Sequence, residues 1–225
     1  MSSHYESVQI AALYPEAFAV AAPVAPVGRA VWPRQPGVFI RQLPASAEAG
    51  GEADKPAREL VAGQFGLVPR WVKSASDAKL RATKLVNARS ETVTTSSNFR
   101  EAWLAGQRCI VPMMAFLEDD WRSGKAVPTR IARVDGRPLG VAGLWERWAG
   151  PEGEVIVSYT LLTVNANSHA LMHRYQQPGS DKSMPAILNE GAYNAWLSTG
   201  PAQAREFMRA YPAQLLTANP VEKKR

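Results

Sequence analysis

The sequence contains the stretch Lys84-Leu85-Val86-Asn87-Ala88-Arg89-Ser90-Glu91-Thr92. It begins as a strand, because Leu85 and Val86 are apolar and a β-branched residue suits a half-buried pleated surface. It then alternates in polarity, which puts Asn87, Arg89 and Glu91 on one face of an extended chain. This pattern predicts a strand end that presents an amide, a guanidinium and a carboxylate in a row.

Such a face has two interpretations. An amide can donate to a carbonyl and accept from a hydroxyl, and a guanidinium can hold a phosphate through two parallel hydrogen bonds. The face therefore suits a phosphorylated, sugar-like or nucleic-acid ligand. The alternative is a strand end at which Arg89 and Glu91 form an ion pair in solvent, since charged residues often only cover a surface.

The composition indicates a globular, moderately basic protein. The chain has 225 residues, enough for one large domain or two small ones, and its net charge of +6 permits nucleic-acid binding without requiring it. No apolar run reaches the roughly 20 residues of a membrane helix, and no secretory signal is visible at the start. The single cysteine, Cys109, cannot form an internal disulfide, which favours a reducing cytoplasm.

Short strands joined by hairpin turns dominate the expected secondary structure. We expect strands at residues 38–43, 60–69, 108–112, 115–118, 129–134, 139–144 and 155–164, and helices at 7–20, 98–106, 192–199 and 203–210. The second helix should begin with Asn98 as N-cap and Glu101 completing a capping box. Residues 44–55 and 72–82 are expected loops, and residues 212–225 a tail. No linker separates two cores, so we expect a single α+β domain over residues 1–225.

The motifs of common catalytic sites are missing. His169 and His173 are spaced as on one face of a helical turn and could bind a metal, but no Glu completes an HExxH pattern and no Cys joins them. The nucleophile elbow, the dinucleotide fingerprint and the P-loop are absent. We therefore expect no metal and no cofactor.

Glu118 is a candidate proton-transferring group. It follows Phe116 and Leu117 at the end of an apolar run. A carboxylate partly withdrawn from water there has a raised pKa and can exchange protons near neutral pH. The alternative is that Glu118, Asp119 and Asp120 form an acidic turn in solvent.

Eight phrases occur in a fixed order along the chain. They are Gly66-Leu67-Val68-Pro69-Arg70-Trp71, Asn87-Ala88-Arg89-Ser90-Glu91-Thr92, Phe99-Arg100, Arg108-Cys109-Ile110-Val111-Pro112, Ala142-Gly143-Leu144-Trp145-Glu146, Leu162-Thr163-Val164-Asn165-Ala166-Asn167, His173-Arg174 and Met184-Pro185. Together they resemble the SOS response-associated peptidase (SRAP) family, which shields abasic sites in single-stranded DNA. The resemblance implies an α+β domain around a curved, barrel-like, mainly antiparallel sheet with flanking helices and a basic DNA-binding face.

The resemblance also implies a chemistry. In the family, a cysteine at position 2 is exposed once Met1 is removed. Its α-amine forms a Schiff base with the aldehyde of an abasic sugar, and its thiolate closes a thiazolidine. Carried onto this chain, Ser2 takes the reacting position. Asn87 would orient the sugar, Glu118 would transfer protons, and His173 would assist the ring-opened sugar or β-elimination.

Several further residues are assigned to DNA by the same resemblance. Arg89 would hold a phosphate, and Trp71 would stack on splayed bases, as aromatic side chains do in single-strand binding. The predicted DNA-binding set is Arg89, Trp71, Arg70, Pro69, Ser90, Thr92 and Arg174. For Ser90 and Thr92, ordinary polar groups at a strand edge are an equally good interpretation.

The chain departs from the family pattern at two places. Position 2 is Ser2, whose hydroxyl is far less acidic than a thiol, so we expect at best a labile oxazolidine. The α-amine of Ser2 can still form a Schiff base if Met1 is lost. In addition, ten residues (174–183) separate His173 from Met184, where the family has two, and His169 is a rival for the family histidine.

Three functions follow from these observations. The first is binding of single-stranded DNA with sensing or processing of abasic sites through N-terminal Schiff-base chemistry. The second is a non-catalytic module that binds single-stranded DNA and senses damage. The third is a peptidase limited to its own N-terminus. The expected partner is single-stranded DNA, above all abasic DNA, with no membrane; we expect a monomer in the cytoplasm, associated with the nucleoid when DNA is bound.

Overall fold

Antiparallel hairpins form the framework of the computed structural model, which describes residues 4–44 and 57–222. The strands are β1 (Tyr5–Glu6), β2 (Ala30–Val31), β3 (Pro36–Gln42), β4 (Arg58–Phe65), β5 (Asn87–Arg89), β6 (Arg108–Met113), β7 (Ala115–Asp120), β8 (Val127–Arg133), β9 (Leu139–Ala149), β10 (Val155–Asn165), β11 (Ser183–Pro185), β12 (Ile187–Leu188) and β13 (Leu216–Pro220). The helices are α1 (Leu13–Phe18), α2 (Ala75–Ala82), α3 (Arg100–Leu104), α4 (Tyr193–Ser198) and α5 (Pro201–Ala204).

Within the described residues, five strands close into a barrel. β10 pairs with β4, β4 with β3, β3 with β6, β6 with β9, and β9 returns to β10. Only the β10–β4 pairing of this ring is parallel, which makes the barrel mixed. A second sheet has the order β13-β8-β7-β1-β2. The expected α+β domain around a curved, barrel-like, mainly antiparallel sheet is confirmed.

Aromatic side chains fill the barrel and join it to the second sheet. The rings of Phe39 and Phe65 pack on Tyr159, with ring centroids 5.6 and 5.5 Å apart. From β1, the ring of Tyr5 packs edge-on against Phe65, and its hydroxyl is hydrogen-bonded to the hydroxyl of Tyr159. All four residues are almost completely buried. The beginning of the chain is therefore anchored in the core.

The predicted helix at residues 7–20 is wrong in its extent. Only α1 is helical, and Pro15 lies in its first turn, where a missing backbone N–H does no harm. Before it, Ser7 is buried and its hydroxyl donates to the carbonyl of Gly28 at 2.6 Å. This hydrogen bond holds the segment before α1 against the segment that leads into β2, so the chain around Ser7 is not helical.

Two further helix predictions need correction. Residues 75–82 form α2 rather than a loop: Ser74 accepts a hydrogen bond from the backbone N–H of Asp77, and the buried face consists of Ala78 and Ala82. Two alanines give no visible apolar period. The prediction of Asn98 as an N-cap is wrong, because α3 begins only after Phe99, which is its N-cap residue and makes no side-chain capping hydrogen bond.

The end of the chain takes part in the fold. The segment predicted as a tail contains β13, which pairs antiparallel with β8. Residues 203–210 are helical only in part, as the end of α5 and a 3₁₀ turn at Arg205–Phe207. The predicted loop at 44–55 lies, apart from Pro44, outside the described residues. Along the described residues, none of the helices combines the length and apolarity needed to cross a membrane.

The packing of Tyr5 and Tyr159 can be tested at Gly37 on β3, where an added Cβ would overlap both tyrosine hydroxyls. We expect Gly37→Ala to lower the free energy of unfolding by about 1–3 kcal/mol, because an overfilled core must shift. Urea denaturation measures this. Gly191→Ala is the control, since a Cβ there meets nothing within 4 Å. Equal stability of the two variants would contradict the packing described.

Candidate functional site

A polar site lies where β10 exchanges one parallel neighbour for another. Residues 158–159 of β10 pair with the end of β4, and residues 161–163 pair with β5. Gly66 turns the chain away from β4 with φ of 118°, and an added Cβ would meet the backbone carbonyl of Ala82, so this corner requires glycine. The N–H of Ser90 then donates to the carbonyl of Thr163 at 2.9 Å. β5 is thus fixed beside the C-terminal half of β10.

Polar side chains from three elements line a cleft of about 440 Å³ at this exchange. The lining residues are Asn87 and Arg89 of β5, Thr163 of β10, and Gln176, Gln177, Ser180, Asp181 and Ser183 of the segment that leads into β11. Amides, hydroxyls and a guanidinium around one cleft can hold sugar and phosphate oxygens through directed hydrogen bonds. The cleft therefore suits a ligand of sugar-phosphate character.

Arg89 lies between two carboxylates. Its Nε atom is 3.8 Å from Oε2 of Glu91, and its Nη2 atom is 3.9 Å from Oδ2 of Asp181. The side chain of Arg89 is 54% exposed, and ion pairs this long and exposed hold little energy. Arg89 thus pairs with Glu91, as the second interpretation expects, and it also lines the polar cleft; its contact with a phosphate stays a prediction.

Thr163 is a candidate that the sequence interpretation missed. Its side chain is fully buried, and its hydroxyl oxygen has no hydrogen-bond partner among the described residues. A buried hydroxyl left without a partner costs about 1–3 kcal/mol. Thr163 borders the cleft, but its hydroxyl oxygen lies beneath the surface, so the residue shapes the wall and does not present an open polar group. The only signal in the sequence was its place inside one of the eight ordered phrases.

Glu118 lies on β7, opposite Thr129 of β8, and is only 5% exposed. Phe116, two residues earlier on the same strand face, is part of the hydrophobic core. The alternative of a solvated acidic turn is wrong for Glu118, because β7 continues through Asp120 and buries this carboxyl group. A carboxyl group so placed can exchange a proton with a ligand without competition from bulk water.

β1 carries the beginning of the chain to β7. The two strands are antiparallel with Tyr5 opposite Phe116, so the chain leads backwards from Tyr5 to His4 in the direction of Glu118. The ring of His4 stacks on Trp32, with centroids 3.7 Å apart. Burial lowers the pKa of His4, and the charge of nearby Asp119 opposes that shift. Ser2, predicted as the reacting residue, lies outside the described residues.

The two rival histidines have different environments. His169 is 9% exposed; its Nδ1 accepts from the N–H of Met172 at 2.9 Å, so its Nε2 carries the proton and donates to the carbonyl of Tyr211 at 2.6 Å. His173 is exposed and donates from Nδ1 to the carbonyl of His169 at 2.7 Å. Only His173 therefore keeps a ring nitrogen, Nε2, for a ligand.

Metal binding finds no support in the part of the chain that the structure describes. No group of three or more His, Cys, Asp or Glu side chains lies there in an arrangement that could hold a metal ion. His169, one half of the suggested pair, uses both ring nitrogens within the protein. Its role is structural.

Backbone hydrogen bonds connect the segment after His173 to the other site elements. Tyr175 forms a bridge with Asp120 at the end of β7, and the N–H of Gln176 donates to the carbonyl of Asp119 at 3.0 Å. The side-chain amide of Gln176 donates to the backbone at the start of β11 at 2.6 Å, and β11 pairs with β10. The segment thus joins the strand of Glu118 to the strand edge that carries the cleft.

The predicted stacking residues lie at a different cleft. Trp71 is 39% exposed, with the guanidinium of Arg81 4.5 Å from its ring centroid. Arg70 bonds through Nε to Glu146 at 2.8 Å. Trp71, Arg70 and Arg100 belong to the lining of a cleft of about 990 Å³, which shares no lining residue with the first. The structure therefore separates two predicted groups of DNA-binding residues.

The remaining predicted DNA contacts differ in accessibility. Pro69 and Ser90 are buried and offer no open surface to a ligand. Thr92 is exposed, and its carbonyl accepts from Thr95 at 3.1 Å within a turn. Arg174 is exposed beside His173; the pKa of Asp120 is lowered mainly by hydrogen bonds from Arg122, and the charge of Arg174 adds to this effect. Thr92 and Arg174 are the two of this group that a ligand can reach.

Comparisons with known proteins match most of the chain. A model of the family described as SOS response associated peptidase (SRAP) matches residues 6–224. The abasic site processing protein YoqW of Bacillus subtilis is 32% identical over 159 residues, covering 69% of this chain and 66% of YoqW. The abasic site processing protein HMCES of Gallus gallus is 29% identical over 191 residues, covering 76% of this chain and 54% of HMCES. The chain thus spans only part of these relatives.

Solved structures show the same fold. A crystal structure of a protein from Bordetella bronchiseptica is 42% identical with a TM-score of 0.87, and the match covers 98% of this chain and 100% of that one. A protein from Bacteroides thetaiotaomicron, 22% identical with a TM-score of 0.75 over 98% and 92% of the two chains, supports the fold alone. On the family match over residues 6–224, the chain belongs to the SOS response associated peptidase (SRAP) family.

Proposed function

We propose that the protein binds single-stranded DNA and processes abasic sites through Schiff-base chemistry at its N-terminal α-amine. The observation that carries this proposal is the cleft at β10, which brings Asn87 and the guanidinium of Arg89 together with the amides and hydroxyls of the segment before β11. These groups are complementary to a sugar and its phosphate. The names of two relatives, both abasic site processing proteins, support the same substrate class.

The proposed reaction begins after loss of Met1, when the α-amine of Ser2 attacks C1′ of the ring-opened abasic sugar. A C–N bond forms, the aldehyde oxygen takes up a proton, and loss of water leaves an imine. Glu118 supplies the proton from its buried position, and Asn87 orients the sugar oxygens. Because the amine must be neutral to attack, the reaction should slow at acidic pH.

His173 is proposed as the base for the next step. Its Nε2 removes a proton from C2′ of the imine, the C3′–O3′ bond breaks, and the phosphate leaves with the downstream strand. The hydroxyl of Ser2 can add to the imine to give an oxazolidine. Because a hydroxyl is a weaker nucleophile than a thiolate, we propose that the adduct is transient and not a durable crosslink.

A second candidate function is favoured by Ser2 itself. A chain without the thiol can bind damaged single-stranded DNA and report it without reacting. This non-catalytic reading predicts binding without imine formation. Introducing the thiol with Ser2→Cys should then create a stable adduct, because the cleft residues would already be in place.

Reductive trapping tests the proposed chemistry. Incubation with an abasic single-stranded oligonucleotide and borohydride should give a covalent adduct for protein that has lost Met1, as judged by intact mass, and none for protein that retains it. Glu118→Gln should slow trapping about 100-fold, within the range for lost acid–base catalysis. Glu152→Gln, exposed in the β9–β10 turn, is the control and should react normally. Absence of an adduct from trimmed protein would remove the support for catalysis.

The two histidines should separate stability from activity. We expect His169→Gln to lower the free energy of unfolding by about 1–3 kcal/mol, because its buried ring bonds to backbone groups on both sides. His173→Gln should change stability by about 0.5 kcal/mol or less and slow strand cleavage after imine formation. Denaturant titration and gel analysis of cleavage measure the two effects. Unchanged cleavage in His173→Gln would show that another group is the base.

The role of Arg89 appears in the salt dependence of binding. Each phosphate neutralised on a single strand contributes about −0.7 to the slope of log K against log salt concentration. Arg89→Ala should therefore make the measured slope less steep by about 0.7, a value that fluorescence anisotropy resolves. Arg147→Ala removes the same charge from an exposed position on β9 and should leave the slope unchanged. Equal slopes for both variants would contradict a phosphate contact at Arg89.

A further inference from the structure

The segment between His173 and Met184 forms one wall of the cleft. Of the ten residues 174–183, five line the cleft: Gln176, Gln177, Ser180, Asp181 and Ser183. The segment has ten residues where the family pattern has two, so it is eight residues longer than the family spacing. The segment can therefore contact a ligand that enters the cleft.

Hydrogen bonds hold this wall in one shape. The Nζ of Lys182 donates to the carbonyls of Gln176 and Gln177, at 3.1 and 2.7 Å. The backbone N–H of Lys182 donates to Oδ1 of Asn167, at 2.7 Å, just beyond the end of β10. Because Lys182 is fixed on both sides, the neighbouring Asp181 has a defined position at the cleft.

The cleft is lined by two side chains of opposite charge. Among the described residues that line it, Arg89 is the cation and Asp181 the anion. The two groups are 3.9 Å apart, with side chains 54% and 70% exposed. Glu91 adds a second carboxylate on the other side of Arg89, while the ammonium of Lys182 is engaged with loop carbonyls. A phosphate that approaches Arg89 therefore meets negative charge.

We propose that Asp181 is a specificity-determining residue that competes with the DNA phosphate for Arg89. This inference rests on the proposed function. The competition weakens non-covalent binding to any single strand, so that intact DNA is released quickly. Abasic DNA is held longer than intact DNA, because the transient imine to Ser2 and contacts with Asn87 add to this weak binding. Retention thus depends on the lesion and not on the backbone.

The test measures binding of an intact, fluorescently labelled single-stranded oligonucleotide at low salt. Asp181→Asn should bind about 3–10 times more tightly than the unaltered protein, and the gain should shrink at about 0.5 M salt, where exposed charges are screened. Glu152→Gln makes the same change of net charge away from the cleft and should alter binding less than about 2-fold. Melting temperatures verify that each variant is folded.

A double-mutant cycle links the effect to its cause. If Asp181 acts through Arg89, the gain from Asp181→Asn should fall below about 2-fold in the Arg89→Ala background. Unchanged or weaker binding by Asp181→Asn, while the unaltered protein binds, overturns this inference alone; weaker binding would mean that Asp181 accepts hydrogen bonds from DNA. No binding by either protein overturns both this inference and the proposed function.

Discussion

The backbone ladder of β10 is the interaction on which the rest of the site depends. This strand closes the barrel against β9 and pairs in succession with β4, β5 and β11. Because β4 leaves the sheet at Gly66, the backbone groups of the next part of β10 are available to pair with β5. This pairing places the polar face of β5 beside a buried strand. The cleft is therefore a consequence of how the barrel closes.

The second sheet contributes the buried carboxyl group of Glu118 and the beginning of the chain. β1 is anchored by Tyr5 in the barrel core and pairs with β7, so the start of the chain runs alongside the strand that buries Glu118. The segment after His173 then ties β7 to the edge of β10. The carboxyl group of Glu118 and the polar cleft thus belong to separate sheets, which are linked by the backbone hydrogen bonds of residues 175–176.

Local patterns were sufficient where one strand decides the outcome. The apolar run before Glu118 predicted a withdrawn carboxyl group, and this group is buried. The alternation through Asn87 correctly placed Asn87 and Arg89 on one face, but the strand is shorter than predicted: Leu85 and Val86 precede it, and Glu91 lies in the turn after it. Helix α2 could not be recognised, because a buried face of alanines has no apolar period. Neither could the unpartnered hydroxyl of Thr163 or the position of Asp181, since both depend on which distant strands and loops meet. The separation of Trp71 from the cleft is likewise a tertiary property.

Amide hydrogen exchange with a single-stranded oligonucleotide that carries a stable abasic analogue tests the central claim most directly. If the barrel closure creates the binding site, protection should appear in β5, in the C-terminal half of β10, and in residues 173–183. The strands β8 and β13, on the far edge of the second sheet, should exchange as before. Protection confined to β8 and β13, with none around β5, would contradict the account.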